Sequence, residues 1–291
     1  MVSDDRRTLT DRIVVISGAS RGIGRDIAVR VAADGARVAL LAKTETPHPK
    51  IAGTLGETAR AVEDAGGVAL PVACDVRDPA AVEQAIARVV ETFGGIDVVV
   101  NNAGAIELKN TAQLSAKSFD RLLAINVKGP YQLVHAALPH LSRSENAHIV
   151  NISPPLDLDP AWFAPHVGHT VGKYAESLLT LGWAAEFAAV PIAVNSLWPA
   201  TFVASTGMVV VMGEEQMRAQ SRTPQIMADA LYALVTRPAA ACSGHFYTDE
   251  EVLREEGTTD FSTYRLAARE EDLKPNLYLP AARTAIPDPV R

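Results

Sequence analysis

Short runs of β-branched and other apolar residues alternate with longer alanine-rich segments along most of the chain. The runs that we interpret as strands are residues 12–17, 36–42, 68–74, 96–101, 147–153, 191–197 and 244–249. Segments with helical periodicity lie between or after them, at 23–34, 54–65, 79–93, 118–141, 170–189 and 224–236. The strands are apolar on both faces, which is typical of a sheet that helices cover on each side. This alternation predicts parallel strands joined by right-handed crossovers.

The fold class that follows is α/β. We expect a doubly wound, Rossmann-type, mostly parallel sheet of about seven strands, with helices on both faces and a single domain. Residues 1–251 contain all of the predicted strands. Residues 252–291 contain proline and many charges, and we interpret them as a C-terminal extension that packs on the same domain.

The composition of the chain excludes several function classes. Lys and Arg total 27 against 34 Asp and Glu, for a net charge of −7. A chain of this charge lacks the broad positive field that nucleic-acid backbones require, so we expect no nucleic-acid partner. No apolar run is long enough to cross a bilayer or to form the core of a secretory signal. With Cys74 and Cys242 as its two cysteines, the chain has no disulfide framework, and we expect a cytoplasmic protein without membrane insertion.

Residues 17–24, SGASRGIG, follow the first predicted strand and open the first predicted helix. Gly18, Gly22 and Gly24 allow the backbone to turn sharply and to approach a ligand closely. The helix N-terminus offers free N–H groups and the positive end of its dipole to a pyrophosphate. In this position the turn predicts dinucleotide binding, and the alternative is a tight turn that binds nothing.

The residues after the second strand indicate which dinucleotide is bound. A free ribose 2′-OH is normally held by an Asp or Glu about 20 residues beyond the glycines. Lys43 stands there instead, and Arg21 lies inside the glycine turn. Both cations suit a 2′-phosphate, so we predict NADP. Because Glu45 lies nearby, NAD stays open as an alternative. A second alternative is that Lys43 and Arg21 are merely solvated side chains.

Four features together resemble the short-chain dehydrogenase/reductase family: the glycine turn, NNAG at 101–104 after the fourth strand, Asn126 and Lys173. The resemblance implies that residues 1–251 are an NADP-binding oxidoreductase domain. It implies interconversion of a carbonyl and an alcohol on a small apolar substrate, lipid- or steroid-like. It also suggests a homodimer or homotetramer, with 119–141 and 170–189 as the contact helices.

The resemblance also assigns residues to the site. The cofactor-binding set that it implies is Ser17, Gly18, Ala19, Ser20, Arg21, Gly22, Ile23, Lys43, Asp75, Asn101, Ala103 and Lys173. Asp75 would accept from the adenine amino group, and Asn101 would flank the adenosine and support the central strand. Asn126 would anchor a water near the reacting atoms, and Lys173 would hold the nicotinamide ribose. The alternatives are that Asp75 caps a turn and that Asn126 is a satisfied buried amide.

The residue four positions before Lys173 departs from the family. The family has a Tyr there, whose phenol pKa the Lys charge lowers so that it can exchange a proton with the substrate oxygen. Here the residue is His169, and Tyr174 points about 100° away around the helix. Three interpretations follow: slow or lost hydride transfer with nucleotide binding retained, His169 as a substitute proton donor, or a changed reaction with neutral His169 as a base or oxyanion donor. The first would make the protein an NADP(H)-binding sensor or assembly partner.

Two further expectations concern the same region. Ser153 is the nearest hydroxyl to the position where the family holds the substrate carbonyl, because Pro154 and Pro155 follow it. We include it with His169, Lys173 and Asn126 as a catalytic candidate, unless its side chain faces the other side of the strand. His166 and His169 have no carboxylate or thiol at ligand spacing, so we expect no metal.

Overall fold

The computed structural model describes residues 8–47 and 51–280, in which seven strands form one sheet of order β3-β2-β1-β4-β5-β6-β7. The strands are β1 Ile13–Ser17, β2 Arg37–Ala42, β3 Val68–Ala73, β4 Val98–Asn101, β5 Ala147–Asn151, β6 Ile192–Trp198 and β7 Phe246–Thr248. Every neighbouring pair runs parallel. The predicted doubly wound fold with about seven strands is confirmed.

Ten α-helices lie within the described part of the chain. They are α1 Gly22–Ala32, α2 Leu55–Asp64, α3 Pro79–Phe93, α4 Ala116–Leu123, α5 Gly129–Leu141, α6 Val167–Glu186, α7 Thr206–Met212, α8 Glu214–Gln220, α9 Gln225–Val235 and α10 Asp249–Glu255. None of these helices is both long and apolar enough to cross a bilayer. The division into a domain of residues 1–251 and a C-terminal extension, residues 252–291, that packs on the same domain stays a prediction, and α10 runs across that boundary.

Alternate residues of the strands enter two separate cores. On β1, Val14 and Ile16 pack with α1 and α9 on one face, whereas Ile13 and Val15 pack with α3 and α5 on the other. This two-residue period follows from the pleat of a strand. It explains why the strands are apolar on both faces in the sequence.

The chain leaves the centre of the sheet in opposite directions on either side of β1 and β4. These strands pair in register, with Val14 opposite Val98 and Ile16 opposite Val100. Beyond β1 the order continues to β2 and β3, and beyond β4 it continues to β5, β6 and β7. Such a reversal opens a crevice at the carboxyl ends of the two strands, which is where ligands bind in folds of this class.

The helix predicted over 118–141 is divided in three. Between α4 and α5 lies a π-helical segment, Ala124–Lys128, which contains the buried Asn126. The apolar periodicity of the sequence does not reveal this change, because a π-helical turn shifts the pattern by only one residue. Such π-helical turns are often found at functional sites.

A buried chain of polar side chains ties α6 to three strands. The Asn101 amide donates to Asn151 Oδ1 at 2.8 Å, and the Asn151 amide donates to Thr180 Oγ1 at 2.8 Å. The Ser196 hydroxyl lies 2.8 Å from Thr180 Oγ1 and 2.7 Å from Ser153 Oγ. Each of these side chains is at least 99% buried. This buried polar chain of side chains fixes the rotation of α6, the helix that carries His169 and Lys173.

The segment after α10 returns across the carboxyl edge of the sheet. The Phe202 backbone N–H donates to the Lys274 carbonyl at 2.8 Å, and the Asn276 N–H donates to the Ala200 carbonyl at 3.0 Å. Residues 274–279, which we call the return segment, therefore lie against the loop that follows β6.

Replacing Thr180 by Val is expected to destabilise the protein by about 1–3 kcal/mol, because Val matches the shape of Thr but leaves buried partners without their hydrogen bonds. Chemical denaturation monitored by circular dichroism measures the change. Thr92→Val on α3 is the control, since the Thr92 hydroxyl bonds only the Arg88 carbonyl on an exposed surface. Equal losses in the two variants would contradict the structural role of the buried chain.

Candidate active site

The glycine turn has the backbone geometry that its sequence predicts. Gly18 and Gly22 both adopt positive φ angles, +67° and +56°. A Cβ on Gly18 would lie 2.8 Å from the Ala103 Cα, so a side chain has no room there. Helix α1 begins at Gly22, and its N-cap residue Arg21 makes no side-chain cap. The first N–H groups of α1 are thus available to an anionic ligand.

Ser17 and Asn102 fasten this turn to the loop after β4. The Ser17 hydroxyl donates to the Val100 carbonyl and accepts from the backbone N–H groups of Asn102 and Ala103, each at 3.0 Å. The Asn102 amide donates to the carbonyls of Ser17 and Gly18. Ser17 is buried and shapes the turn rather than facing the crevice. Asn102 stands in the NNAG motif but is not among the site residues predicted from the sequence.

Two adjoining cavities form one long cleft above the turn. The first, of about 270 Å³, is bounded by His169 and Lys173. The second, of about 420 Å³, is bounded by Lys43, Asp75 and Ala103. The walls that they share include Gly18, Arg21, Gly104, Ala105, Thr206 and Gly207. The sites predicted for the two ends of a dinucleotide thus lie at opposite ends of one cleft.

Charged side chains surround the end of the cleft near β2 and β3. Lys43 is exposed at this end. The Asp75 carboxylate binds the Arg77 guanidinium, with Nε at 2.9 and 3.0 Å from its two oxygens, and this pairing holds the Asp75 pKa below its usual range. The Arg21 guanidinium donates to the carbonyls of Gly53 and Ile51 at 2.9 and 3.4 Å. Arg21 therefore supports the cleft wall while lining it.

At the other end, Lys173 is held by two acceptors. Its Nζ donates to the Ile152 carbonyl at 2.7 Å and to Glu176 Oε2 at 2.6 Å. Glu176 is completely buried, and burial raises its pKa to about 7 while the Lys173 charge lowers it. Its other oxygen, Oε1, has no partner among the described residues. Glu176 is not among the site residues predicted from the sequence, although its i,i+3 spacing from Lys173 was the available signal.

His169 is a neutral imidazole at physiological pH. Burial, the Lys173 charge and the His166 charge, in that order, lower its pKa to about 3, against a backbone hydrogen bond at Ala105. Its Nδ1 has no hydrogen-bond partner among the described residues. A neutral ring with a free ring nitrogen is a proton acceptor rather than a donor of an imidazolium proton.

Tyr278 of the return segment closes the cleft behind His169. It is wholly buried, and its ring stacks on His169 with centroids 6.4 Å apart and 27° between the planes. It also packs on Trp198 at 5.9 Å, and its hydroxyl lies 3.2 Å from Thr170 Oγ1. The sequence carries no local signal for Tyr278, because the contact depends on the path of the return segment.

The remaining predicted residues serve the scaffold of the site. The Ser153 hydroxyl belongs to the buried polar chain and does not line the cleft, because it faces Ser196. The structure therefore does not bring Ser153 together with His169. Asn126 Oδ1 accepts from the Ala105 N–H at 2.8 Å, and its amide donates to the Ala105 carbonyl at 3.1 Å. Asn126 is thus satisfied by backbone and holds the loop that forms the shared wall. Asn101 lies in the buried polar chain, below the cleft.

A further expectation from the sequence is that the protein holds no metal ion. In residues 8–47 and 51–280, no group of three or more His, Cys, Asp or Glu side chains is arranged to hold an ion. His166 instead directs Nδ1 to Thr170 Oγ1 at 3.0 Å.

Residues 12–216 match the family model described as short chain dehydrogenase. The chain therefore belongs to this family of oxidoreductases, whose members use NAD or NADP. Hydroxysteroid dehydrogenase-like protein 2 from Danio rerio is 47% identical over 251 residues, which are 86% of this chain and 60% of that protein. The chain thus spans about 60% of the length of this curated relative.

Solved structures agree with the fold and the family. A short chain dehydrogenase from Mycobacterium thermoresistibile is 42% identical, with a TM-score of 0.89 over 95% of this chain and 98% of that one. A metagenomic short-chain oxidoreductase in complex with NADP is 28% identical, with a TM-score of 0.68 over 82% of this chain and 97% of that one.

Gly18→Ala is expected to weaken NADPH binding by about tenfold or more, because a Cβ forces the turn away from its positive φ and its contact with Ala103. Titration of NADPH fluorescence measures the affinity, and a thermal melt reports whether the variant folds. Gly56→Ala on α2 is the matched control, since its Cβ would meet nothing within 4 Å. If the folded Gly18→Ala variant binds NADPH as tightly as this control, the turn is not the phosphate site.

Proposed function

We propose that the protein is an NADP(H)-dependent oxidoreductase that interconverts a carbonyl and an alcohol on a small apolar, lipid- or steroid-like substrate. The observation that carries the proposal is the single cleft that joins Lys43 to Lys173 and His169 across the glycine turn. The close backbone approach at Gly18 and the uncapped N-terminus of α1 fit the pyrophosphate of a dinucleotide. The family supports the reaction class.

The choice of NADP rests on charge at one end of the cleft. Lys43 would bind the 2′-phosphate, and Arg21, which lines the same cavity, would add to the positive potential. Asp75 is the carboxylate that lines this cavity, and it is already paired with Arg77. Lys43 and Arg21 carry no acceptor, and Arg77 already binds the Asp75 carboxylate. A ribose with a free 2′-OH would therefore find no unpaired acceptor on Lys43, Arg21 or Asp75.

When bound, the nicotinamide would supply the centre that accepts or releases hydride. Lys173 would orient its ribose with the one ammonium hydrogen that Ile152 and Glu176 do not take. In alcohol oxidation, the substrate O–H bond would break as hydride leaves its carbon, and the proton would pass to His169 Nδ1. Carbonyl reduction needs the reverse transfer from a protonated imidazole, which burial and the Lys173 charge disfavour. The same low pKa makes the neutral ring a weak base, so proton transfer through His169 is expected to be slow in both directions.

The chemistry of the cavity walls supports an apolar substrate. The walls near His169 include Ile106, Leu108, Val203, Met208 and Leu277, together with the indole of Trp198. A surface of this kind binds a hydrocarbon body and leaves few polar groups to orient the reacting oxygen.

A second candidate function is an NADP(H)-binding protein with little or no dehydrogenase activity, in a sensor or assembly role. The neutral state of His169 favours it, since an acid with a pKa near 3 carries almost no transferable proton at pH 7. Tight NADPH binding without turnover of any apolar ketone or secondary alcohol would establish this candidate over the first.

We also propose that the partner in solution is a second copy of the chain, in a homodimer or homotetramer. Large apolar side chains are exposed on α5 and α6, with Tyr131, Leu178 and Leu181 each more than half accessible. Patches of this kind mark interfaces. A cytoplasmic location stays a prediction from the sequence.

His169→Tyr is expected to raise the rate of NADPH-dependent ketone reduction by about 100-fold, because a phenol beside Lys173 can donate the proton that the imidazole lacks. Absorbance at 340 nm with a panel of apolar ketones and secondary alcohols measures both directions. His245→Tyr, at an exposed position that lines neither cavity, is the control and should leave the rates unchanged. His169→Ala should abolish any residual alcohol oxidation. An unchanged rate in His169→Ala would remove His169 from the reaction.

Lys43→Glu is expected to weaken NADPH binding by about 10- to 100-fold while leaving NADH affinity unchanged or improved, because a carboxylate repels a 2′-phosphate and accepts from a 2′-OH. Isothermal titration of both dinucleotides measures the preference. Lys128→Glu makes the same change of charge at an exposed site that lines neither cavity. Equal losses of NADPH affinity in both variants would show that only the net charge of the protein matters. That result would refute the assignment of Lys43 to the 2′-phosphate.

A further inference from the structure

Asn276, in the return segment, lines the same cavity as His169 and Lys173. Only 8% of the residue is exposed. Its Oδ1 accepts from the Leu277 N–H at 3.0 Å, so the acceptor half of the side chain is engaged. Its amide nitrogen donates to no acceptor within residues 8–47 and 51–280. The nitrogen is accessible from the cavity rather than sealed in the core, so it can donate to a ligand bound there.

The position of Asn276 is fixed on both sides. Its backbone N–H donates to the Ala200 carbonyl at 3.0 Å. The next carbonyl, of Leu277, accepts from Trp198 Nε1 at 2.9 Å, and Tyr278 beyond it packs on His169. The amide is therefore held beside the reacting end of the cleft, as a preorganised donor must be.

The other polar side chains that line this cavity have different tasks. Asn102 donates both of its bonds to the glycine turn, and the Ser205 hydroxyl caps α7 through the Met208 N–H. Thr206 lies against Gly22, at the start of α1. Ser153 faces away from the cavity. The two amides that line this cavity therefore differ: that of Asn102 is committed to the turn, whereas that of Asn276 has no protein acceptor among the described residues.

We propose that the Asn276 amide binds the substrate oxygen, as a neutral donor to the carbonyl of a ketone or to the oxygen of a secondary alcohol. This inference rests on the proposed function. The oxygen gains negative charge when hydride adds to a carbonyl, so an N–H donor aimed at it binds the transition state more tightly than the ground state. The return segment thus supplies the contact that the Ser153 hydroxyl does not make.

Asn276→Asp and Asn276→Ala test the assignment. Asp keeps the acceptor for the Leu277 N–H but loses the amide donor, whereas Ala loses both. We expect each to lower kcat/KM by about 100-fold for any substrate turned over by the wild-type protein, with NADPH affinity unchanged. Asn110→Ala is the control, because Asn110 Oδ1 also accepts from a backbone N–H but lies on the exposed surface. An unchanged kcat/KM in both Asn276 variants would overturn the inference.

Ligand binding supplies a readout that does not need turnover. Cyclohexanone and methylenecyclohexane, which lacks the oxygen, are titrated into the NADPH complex and followed by saturation-transfer NMR. We expect Asn276→Ala to weaken cyclohexanone binding by about tenfold and to leave methylenecyclohexane unaffected. Equal affinities in wild type and variant, or no cyclohexanone binding by the wild-type NADPH complex, would refute the role of Asn276. Failure to bind NADPH at all would instead refute the proposed function.

Discussion

The parallel pairing of β1 with β4 determines where everything else in the site can lie. Because the chain continues outwards on both sides of this pair, the loops after the two strands separate and leave a crevice between them. Ser17 and Asn102 then join the same two loops by hydrogen bonds, so the crevice has a fixed width. The glycine turn, the start of α1 and the loop that Asn126 holds are all positioned relative to this junction.

A second constraint acts through charge at the far end of the cleft. A cation beside a phenol favours proton release, but the same cation beside an imidazole opposes proton uptake, because the charged form of each group has the opposite sign. The pairing of Lys173 with Glu176 reduces the net charge that His169 meets. The change from Tyr to His is thus accompanied in this chain by a carboxylate directly on the lysine, and the three side chains form one coupled electrostatic unit.

The sequence predicts those parts of the molecule that depend on local pattern. Apolar runs, glycine positions and the spacing from His169 to Lys173 each act within a few residues, so the strands, the turn and the catalytic face of α6 could be found. The π-helical segment at Asn126 escapes, because its effect on periodicity is one residue. Glu176 has a recognisable spacing, but its burial depends on packing. The orientation of Ser153 and the contacts of Tyr278 depend on distant elements, which no local pattern encodes.

The bond between Tyr278 and Thr170 joins residues 108 positions apart. The wholly buried Tyr278 ring also stacks on His169, so the burial that lowers the pKa of this imidazole depends in part on a segment far along the chain. If the return segment were displaced, water would reach the imidazole and its affinity for protons would move towards that of a free histidine. The basicity of the reactive ring is thus coupled to the docking of one distant aromatic side chain.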